Sequence, residues 1–559
     1  MMEKSVLSNK EIARAFKLAA QLMELHEENP FKVRSMQNAA FKLERQSVPI
    51  SNMSPDEISG IEGVGKGIQV KILDLLSKNS FEELEDLRKK TPEGVIEMLG
   101  IKGIGPKKVA LLWKELGIES TGELLYACNE NRLVELKGFG EKTQQQIKHS
   151  IEYAAGNEGK YLYAVIEQIA LQLEQDLRNE KSLIRFSITG KMRRKFEIIE
   201  VLEFVLEIKD TESFVDFLKQ HPLVDDELHI SPEKISGRIA GKLPLTFYIA
   251  GTDNFGSVLF QTTGSDEHIS LITNGNGLGN QKYQDEESIY EHYHSVKILP
   301  ELREGIIEES YFKNKKQEEL IEEKDLKGIL HNHTTYSDGA HTLEEMASYC
   351  RELGYEYLGI CDHSKSAFYA NGLQPERIIL QHKEIDDLNE KMSPFRIIKG
   401  IESDILNDGS LDYPDEILDS FDFVVASVHS ILRMDIDKAT QRLIRAIENP
   451  FTTILGHPSG RLLLAREAYP LDYKKVIDAC AANGVIIELN ANPHRLDLDW
   501  RHLPYALEKN VMISINPDAH RKDGYHDMHY GVCVARKGGL TKDMTFNALS
   551  LERISEYMK

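Results

Sequence analysis

ILHNHTTYSDG, residues 329–339, sets two imidazoles one residue apart, His331 and His333, with a carboxylate following at Asp338. The apolar run before them reads as a short strand, so the two rings leave its end on the same side, because alternate side chains of a strand share a face. Six stretches downstream repeat the plan of an apolar strand running into polar residues: YLGICDHS, FRIIKGIES, FDFVVASVHS, FTTILGHPSG, GVIIELNAN and VMISINPDAH. Helical segments separate them. This alternation over residues 326–559 predicts a (β/α) barrel of seven units.

The polar residues fall where such a fold would collect them. His363 follows the second strand, Glu402 closes the third, His429 the fourth, His457 the fifth, and Asp518 and His520 the last. In an alternating barrel the C-terminal strand ends meet on one face. Imidazoles and carboxylates crowded there need cations between them, and this donor set suits Mn²⁺, Zn²⁺ or Fe²⁺. With His331, His333 and Asp338 the donors number nine, which implies two or three divalent ions and a bridging carboxylate. Such a cluster lowers the pKa of a bridging water and stabilises both oxygens of a phosphoryl displacement, so no protein base is assigned. Twelve of the 19 histidines lie after residue 325, which places the imidazole chemistry in this part of the chain.

The 559 residues exceed a single core. No apolar run is long enough to span a membrane, the N-terminus lacks a signal core, and five cysteines are scattered without C-x-x-C pairs. A monomer in a reducing cytoplasm is expected. Residues 1–155 read as helical and carry three Gly–apolar–Gly turns, at Gly63/Gly65, Gly103/Gly105 and Gly138/Gly140, an internal repeat of roughly 38 residues. Each turn opens a helix. A helix-hairpin-helix turn of this kind aims backbone amides at one phosphate, with Lys66, Lys102 and Lys107 close by. The net charge of −22 speaks against a broad nucleic-acid surface, but amide sites do not depend on net charge.

The barrel motifs (HxH then SDG, DHS, an E after the third strand, SVH, GHP, DAH) resemble the PHP, or polymerase and histidinol phosphatase, family. That resemblance implies a distorted seven-stranded barrel with a trinuclear metal centre that hydrolyses phosphoesters. It implies one ion on His331, His333, Glu402 and Asp518, a second on Glu402, His429 and His457, and a third on Asp338, His363 and His520, with Arg461 as a possible phosphate contact. The whole chain, in order, resembles the bacterial family X DNA polymerases that carry a C-terminal PHP domain: NPFKVRSMQNAAFKLE, the hairpins, GKMRRKFE and FGSVLFQTTGSDEHISL all have counterparts there. The implied plan is an N-terminal helical DNA-binding domain with the first hairpin (1–80), a fingers-like hairpin domain (81–155), an α+β nucleotidyltransferase-like palm (156–235), a thumb (236–310), a charged linker (311–325) and the PHP domain (326–559). The helix lysine Lys71 matches a Schiff-base lysine of some relatives.

The polymerase pattern breaks at its metal site. Gly190, Arg193, Arg194 and Glu197 match, but Lys191 replaces a phosphate-binding serine. The D-x-D pair falls on Val201 and Glu203, and the third aspartate on Thr246. Valine cannot bind Mg²⁺, and threonine replaces a carboxylate poorly. The expectation is therefore a metal-dependent DNA phosphoesterase, acting as a 3′→5′ exonuclease or in 3′-end processing on gapped DNA or 3′ ends, with lost or very weak polymerase activity. The alternatives are an active DNA polymerase with a PHP exonuclease, and a non-catalytic DNA-binding scaffold.

Overall fold

The computed structural model describes residues 7–46, 48–101, 103–134, 136, 138–155, 159–225, 227–241, 243–307 and 319–558. Two compact units emerge, Met1–Tyr153 and Ala154–Lys559.

The first unit is helical. Ser8 starts α1 (Asn9–Leu25) with a capping box to Glu11, and Asn29 with Pro30 starts α2 (Pro30–Glu44). On α1 the buried residues Ile12, Phe16, Ala19 and Met23 recur every three or four positions, and this stripe forms the core with α2 and with Phe81. The three Gly–apolar–Gly turns lead into α3 (Lys66–Lys78), α4 (Pro106–Leu116) and α5 (Glu141–Ala155). Lys102 lies outside the described residues.

The second unit begins with a mixed sheet of β1 (Leu183–Ile188), β2 (Leu202–Ile208), β3 (His229–Ile230), β4 (Lys234–Ile239) and β5 (Leu243–Ile249), in the order β1-β2-β5-β4-β3. Helices α6 (Tyr163–Asn179) and α7 (Thr211–Gln220) bury Leu173 and Phe214 with Phe204 and Phe247 of the sheet. The palm–thumb boundary expected at residues 235/236 cuts through β4. It is corrected here, because β4 and β5 hydrogen-bond into the same sheet as β2.

The barrel follows: β6 (Gly328–Ile329), β7 (Tyr357–Ile360), β8 (Arg396–Asp404), β9 (Phe423–Ser427), β10 (Ile454–Leu455), β11 (Ile486–Asn490) and β12 (Ile513–Asn516). Neighbours pair in parallel and in sequence order, and a parallel bridge from Asn332 to Ala519 brings the two edges together. The strands are short, apolar and almost wholly buried, as parallel strands covered on both faces must be. Of the expected linker, residues 311–318 lie outside the described residues. Its end is not a linker: Ile321 is buried in the barrel core, its N–H donating to Leu540 O, and Leu320 is buried in a cluster with Phe260 and Tyr290. The apolar pair outweighs the charged residues around it.

Candidate functional site

All nine donors expected from the strand ends come together at one face of the barrel, and no side chain among them is more than 4% exposed. Glu402, on β8, is the centre. Its Oε1 lies 3.0 Å from His457 Nε2, 3.1 Å from His429 Nε2 and 3.3 Å from His331 Nε2. Its Oε2 lies 2.8 Å from His363 Nδ1 and 3.7 Å from His333 Nε2. Asp518 Oδ1 stands 2.9 Å from His333 Nε2, and Asp338 faces His520 at 3.3 Å and His363 at 3.6 Å. Among the described residues of the second unit, three groups have donor atoms all within 4.8 Å of one another: His331, His333 and Asp518; His333, Asp338, His363 and His520; and His363, Glu402 and His429. His333 and His363 thus face two groups each, where the family pattern implied one apiece.

The donors fit metal ions. His331 Nε2, both ring nitrogens of His363, and Glu402 Oε2 are buried and make no hydrogen bond, although partners lie close. Each such orphan costs about 1–3 kcal/mol unless something positive sits among them. Burial first, then the charges of His520 and His363, push His333 down to about 3, which keeps its ring neutral and able to ligate. Against burial, Glu402 and Asp404 lift His429 to about 9. Two ligand positions, His457 (φ +22°) and Asp518 (φ +53°), hold left-handed backbone, the kind of strain that gathers at functional sites.

The supporting partners were not read from the sequence. Glu488, on β11, lies 2.6 Å from His331 Nδ1, and Asp404 lies 2.5 Å from His429 Nδ1. Each carboxylate holds one ring nitrogen so that the other faces the cluster. Both had a signal: Asp404 is two residues past Glu402 on the same strand face, and Glu488 is the one carboxylate in an apolar strand. Arg461, expected as a possible phosphate contact, has its guanidinium engaged by the protein itself. Its Nε donates to Arg495 O at 2.9 Å and its other nitrogens to Leu496 O and Asp499, so it braces a loop.

The five-stranded sheet offers no comparable cluster among its described residues. Val201 precedes β2, Thr246 is buried on β5, and Glu203 pairs across to Thr246 in register. Glu203 accepts Tyr248 Oη–H at 2.8 Å, and burial raises its pKa. Gly190 takes φ +65°, which strains any side chain, and its lack of a Cβ leaves room for the Glu203 carboxylate. Lys191 pairs with Glu200 at 2.6 Å.

In the helical unit the three turns are alike. Gly63, Gly103 and Gly138 take φ of +86°, +94° and +90°, and the apolar residue between the glycines (Val64, Ile104, Phe139) plugs the core. The second glycines differ in kind. Gly65 and Gly105 have extended backbone that any residue adopts, and a Cβ there would meet nothing within 4 Å. A Cβ at Gly140 would also meet nothing. Lys66 and Lys107 are exposed beside them. Lys71 borders a cavity of about 560 Å³ whose wall carries Glu28, Asp74, Glu82, Glu83 and Asp86, and it pairs with Glu83 at 3.0 Å.

Family models match residues 7–81 (helix-hairpin-helix domain), 95–152 (SAM-like helix-hairpin-helix tandem) and 330–492 (PHP domain). A probable phosphatase of Thermoanaerobacter sp. strain X514 is 29% identical over 41% of this chain and 93% of its own length. One of Acetivibrio thermocellus is 34% identical over 29% of this chain and 63% of its own. The DNA polymerase/3′-5′ exonuclease PolX of Bacillus subtilis strain 168 is 34% identical over 99% of this chain and all of its own length. No helix among the described residues is long and apolar enough to cross a membrane. With hairpin domains, mixed sheet and PHP barrel in one order along nearly the full length, the chain belongs to the PolX family of DNA polymerase/3′-5′ exonucleases.

Proposed function

We propose that this chain works in DNA repair as a metal-dependent phosphoesterase, removing nucleotides or blocking groups from DNA 3′ ends at its barrel, with polymerase activity lost or very weak. The observation that carries the reading is the contrast between two sites in one unit. In the barrel, Glu402 has five imidazoles within 3.7 Å. In the mixed sheet, Glu203 is hydrogen-bonded to Tyr248 and stands beside a valine and a threonine at the other two metal positions.

His331, His333, Glu402 and Asp518 would hold one ion, Glu402, His429 and His457 a second, and Asp338, His363 and His520 a third; Mn²⁺, Zn²⁺ and Fe²⁺ all suit the set. Bound ions would supply the positive charge that a phosphoryl displacement needs and lower the pKa of a water. The chain's own residues do the rest. Glu488 and Asp404 fix the tautomers of His331 and His429. Asp518 O, 3.0 Å from His520 Nδ1, orients that ring. The buried walls keep bulk water from screening the charges.

The hairpins at Gly63, Gly65 and Lys66, at Gly103, Gly105 and Lys107, and at Gly138 and Gly140 would grip DNA phosphates through backbone amides, bringing gapped DNA or a free 3′ end to the barrel. The enzyme would act as a monomer in the bacterial cytoplasm. The test is gapped DNA labelled on the primer, with Mn²⁺, with and without nucleotides, comparing wild type with His333→Ala. Shortening lost in the variant supports the reading. Extension would mean that the polymerase site is alive, and no product at all would favour a DNA-binding scaffold.

A further inference from the structure

Two sites in the second unit are joined by a continuous series of polar contacts, buried at both ends and open to solvent only at Arg501, whose side chain is 43% exposed. At one end is Asp518. Its Oδ1 faces His333 and His331, at 2.9 and 3.5 Å. Its Oδ2 is turned away, receiving Asn490 Nδ2 at 3.1 Å and facing Arg495 Nε at 3.7 Å. A carboxylate held on one oxygen presents the other as a single, aimed ligand. Asp518 needs such holding, because its left-handed backbone is costly for a non-glycine residue.

Arg495 is 3% exposed, and its loop is itself strained, with Leu496 at φ +46°. Arg461 grips that loop by the carbonyls of both residues and pairs with Asp499. Asp499 also receives Arg501 Nη1, at 2.9 Å to each oxygen. The same Arg501 nitrogen donates to Glu197 Oε1 at 3.0 Å, and Trp500 Nε1 donates to Glu197 Oε2 at 3.3 Å. Glu197 is buried and belongs to GKMRRKFE, the phosphate-motif segment of the mixed-sheet region. Its neighbour Phe196 packs edge-on against Trp500 at 6.2 Å.

We infer that Glu197 is a positioning residue for the barrel's metal centre, acting through Arg501, Asp499, Arg461 and Arg495 on the ligand Asp518. The inference rests on the proposed reading of that centre as a metal site. It gives the surviving half of the motif a use. Val201, Lys191 and Thr246 depart from the polymerase pattern, whereas Arg194, Phe196 and Glu197 make contacts that join this region to the barrel and the segment before it.

The test uses the full-length chain and Mn²⁺ alone, with affinity and stoichiometry read by calorimetric titration of metal-free protein and melting temperature recorded beside them. Arg495→Ala is expected to weaken at least one Mn²⁺ site by about 10- to 100-fold, the usual effect of removing a partner of a ligand, and Arg495→Lys to recover part of it. Glu197→Gln is expected to weaken the same site by roughly three- to tenfold, and the Glu197→Gln/Arg495→Ala double variant to be non-additive. Glu304→Gln serves as control, since it breaks an ion pair with Lys537 and Arg194 at the same junction but off this series. It should lower the melting temperature and leave Mn²⁺ binding unchanged. If Glu197→Gln behaves like that control, Glu197 is only an adhesive contact and the inference falls. If wild type binds no Mn²⁺, the metal reading itself falls and takes this inference with it.

Discussion

Glu488 Oε2 lies 2.6 Å from His331 Nδ1, and its other oxygen, Oε1, receives the backbone N–H of His457 at 3.1 Å. One carboxylate therefore sets the ring of one metal-ligand candidate and the backbone of another. Asn516 adds a third contact, donating to Oε2 at 3.1 Å. Glu488→Gln keeps the shape but no longer stabilises the proton on His331 Nδ1. We expect Mn²⁺ affinity to fall about 10- to 100-fold with a small change in melting temperature. Titration calorimetry beside a thermal melt decides it, and unaltered binding would reduce Glu488 to a packing role.

Gly65 and Gly105 give a clean separation of stability from DNA binding. Neither backbone requires glycine, and neither Cβ would touch the fold. Gly65→Thr and Gly105→Thr should leave the melting temperature within about 1–2 °C, because both positions are helix N-caps, where threonine and glycine rank alike and a change stays under about 0.5 kcal/mol. Affinity for a gapped duplex, measured by fluorescence anisotropy, should drop severalfold for each. Wild-type affinity in both variants would remove these hairpins from the DNA-binding surface.

The barrel was legible because its chemistry is concentrated at strand ends. Seven apolar strands, six of them running into His, Asp or Glu, point to both the fold and the nine residues that meet around Glu402. What stayed hidden is what contact geometry decides. Arg495 lies in GVIIELNANPHRLDLDW with no spacing to mark it, and only the folded loop sets it against Asp518. Arg461 follows a ligand motif and read as a substrate contact, yet its guanidinium points into the loop at 495–499. Leu320 and Ile321 sit in a charged run whose composition hid their burial. The strand at 234–239 straddles the expected domain boundary because strand order in a mixed sheet is not a local property of sequence.

Lys71 illustrates the same limit. Its place on a helix matched a Schiff-base lysine, but the cavity it borders carries five carboxylates against Lys71 and Lys90, and Glu83 pairs with its Nζ at 3.0 Å. A 5′-phosphate entering that cavity meets like charge, and the ion pair with Glu83 engages the amine that would have to attack. Borohydride reduction in the presence of a 5′-abasic DNA end should trap no covalent adduct above the level of Lys71→Ala. A wild-type adduct lost in that variant would restore the lyase expectation.

A marked acid dependence outside the metal centre should come from Glu286. This carboxylate is buried between two guanidiniums: Arg193 donates to it at 2.8 and 3.0 Å, and Arg303, itself fully buried, also pairs with it. Burial alone would raise its pKa. The hydrogen bond from Arg193 and the charge of Arg303 overcome that and hold it at about 2, against an ordinary 4.5. A folded-state value below the unfolded one means that the unfolded chain binds the proton more readily. The stabilisation is therefore complete above about pH 4.5 and is lost as the pH falls through about 2. Its size is of order 3 kcal/mol. Glu286→Gln should remove this acid-dependent part, because the side chain no longer titrates. It should also lower stability at pH 7 by about 3–5 kcal/mol, since two guanidiniums lose their buried counter-charge. Urea unfolding at pH 7 and at pH 3 checks both. Equal losses from pH 7 to pH 3 in wild type and variant would show that Glu286 does not carry the acid sensitivity of this region.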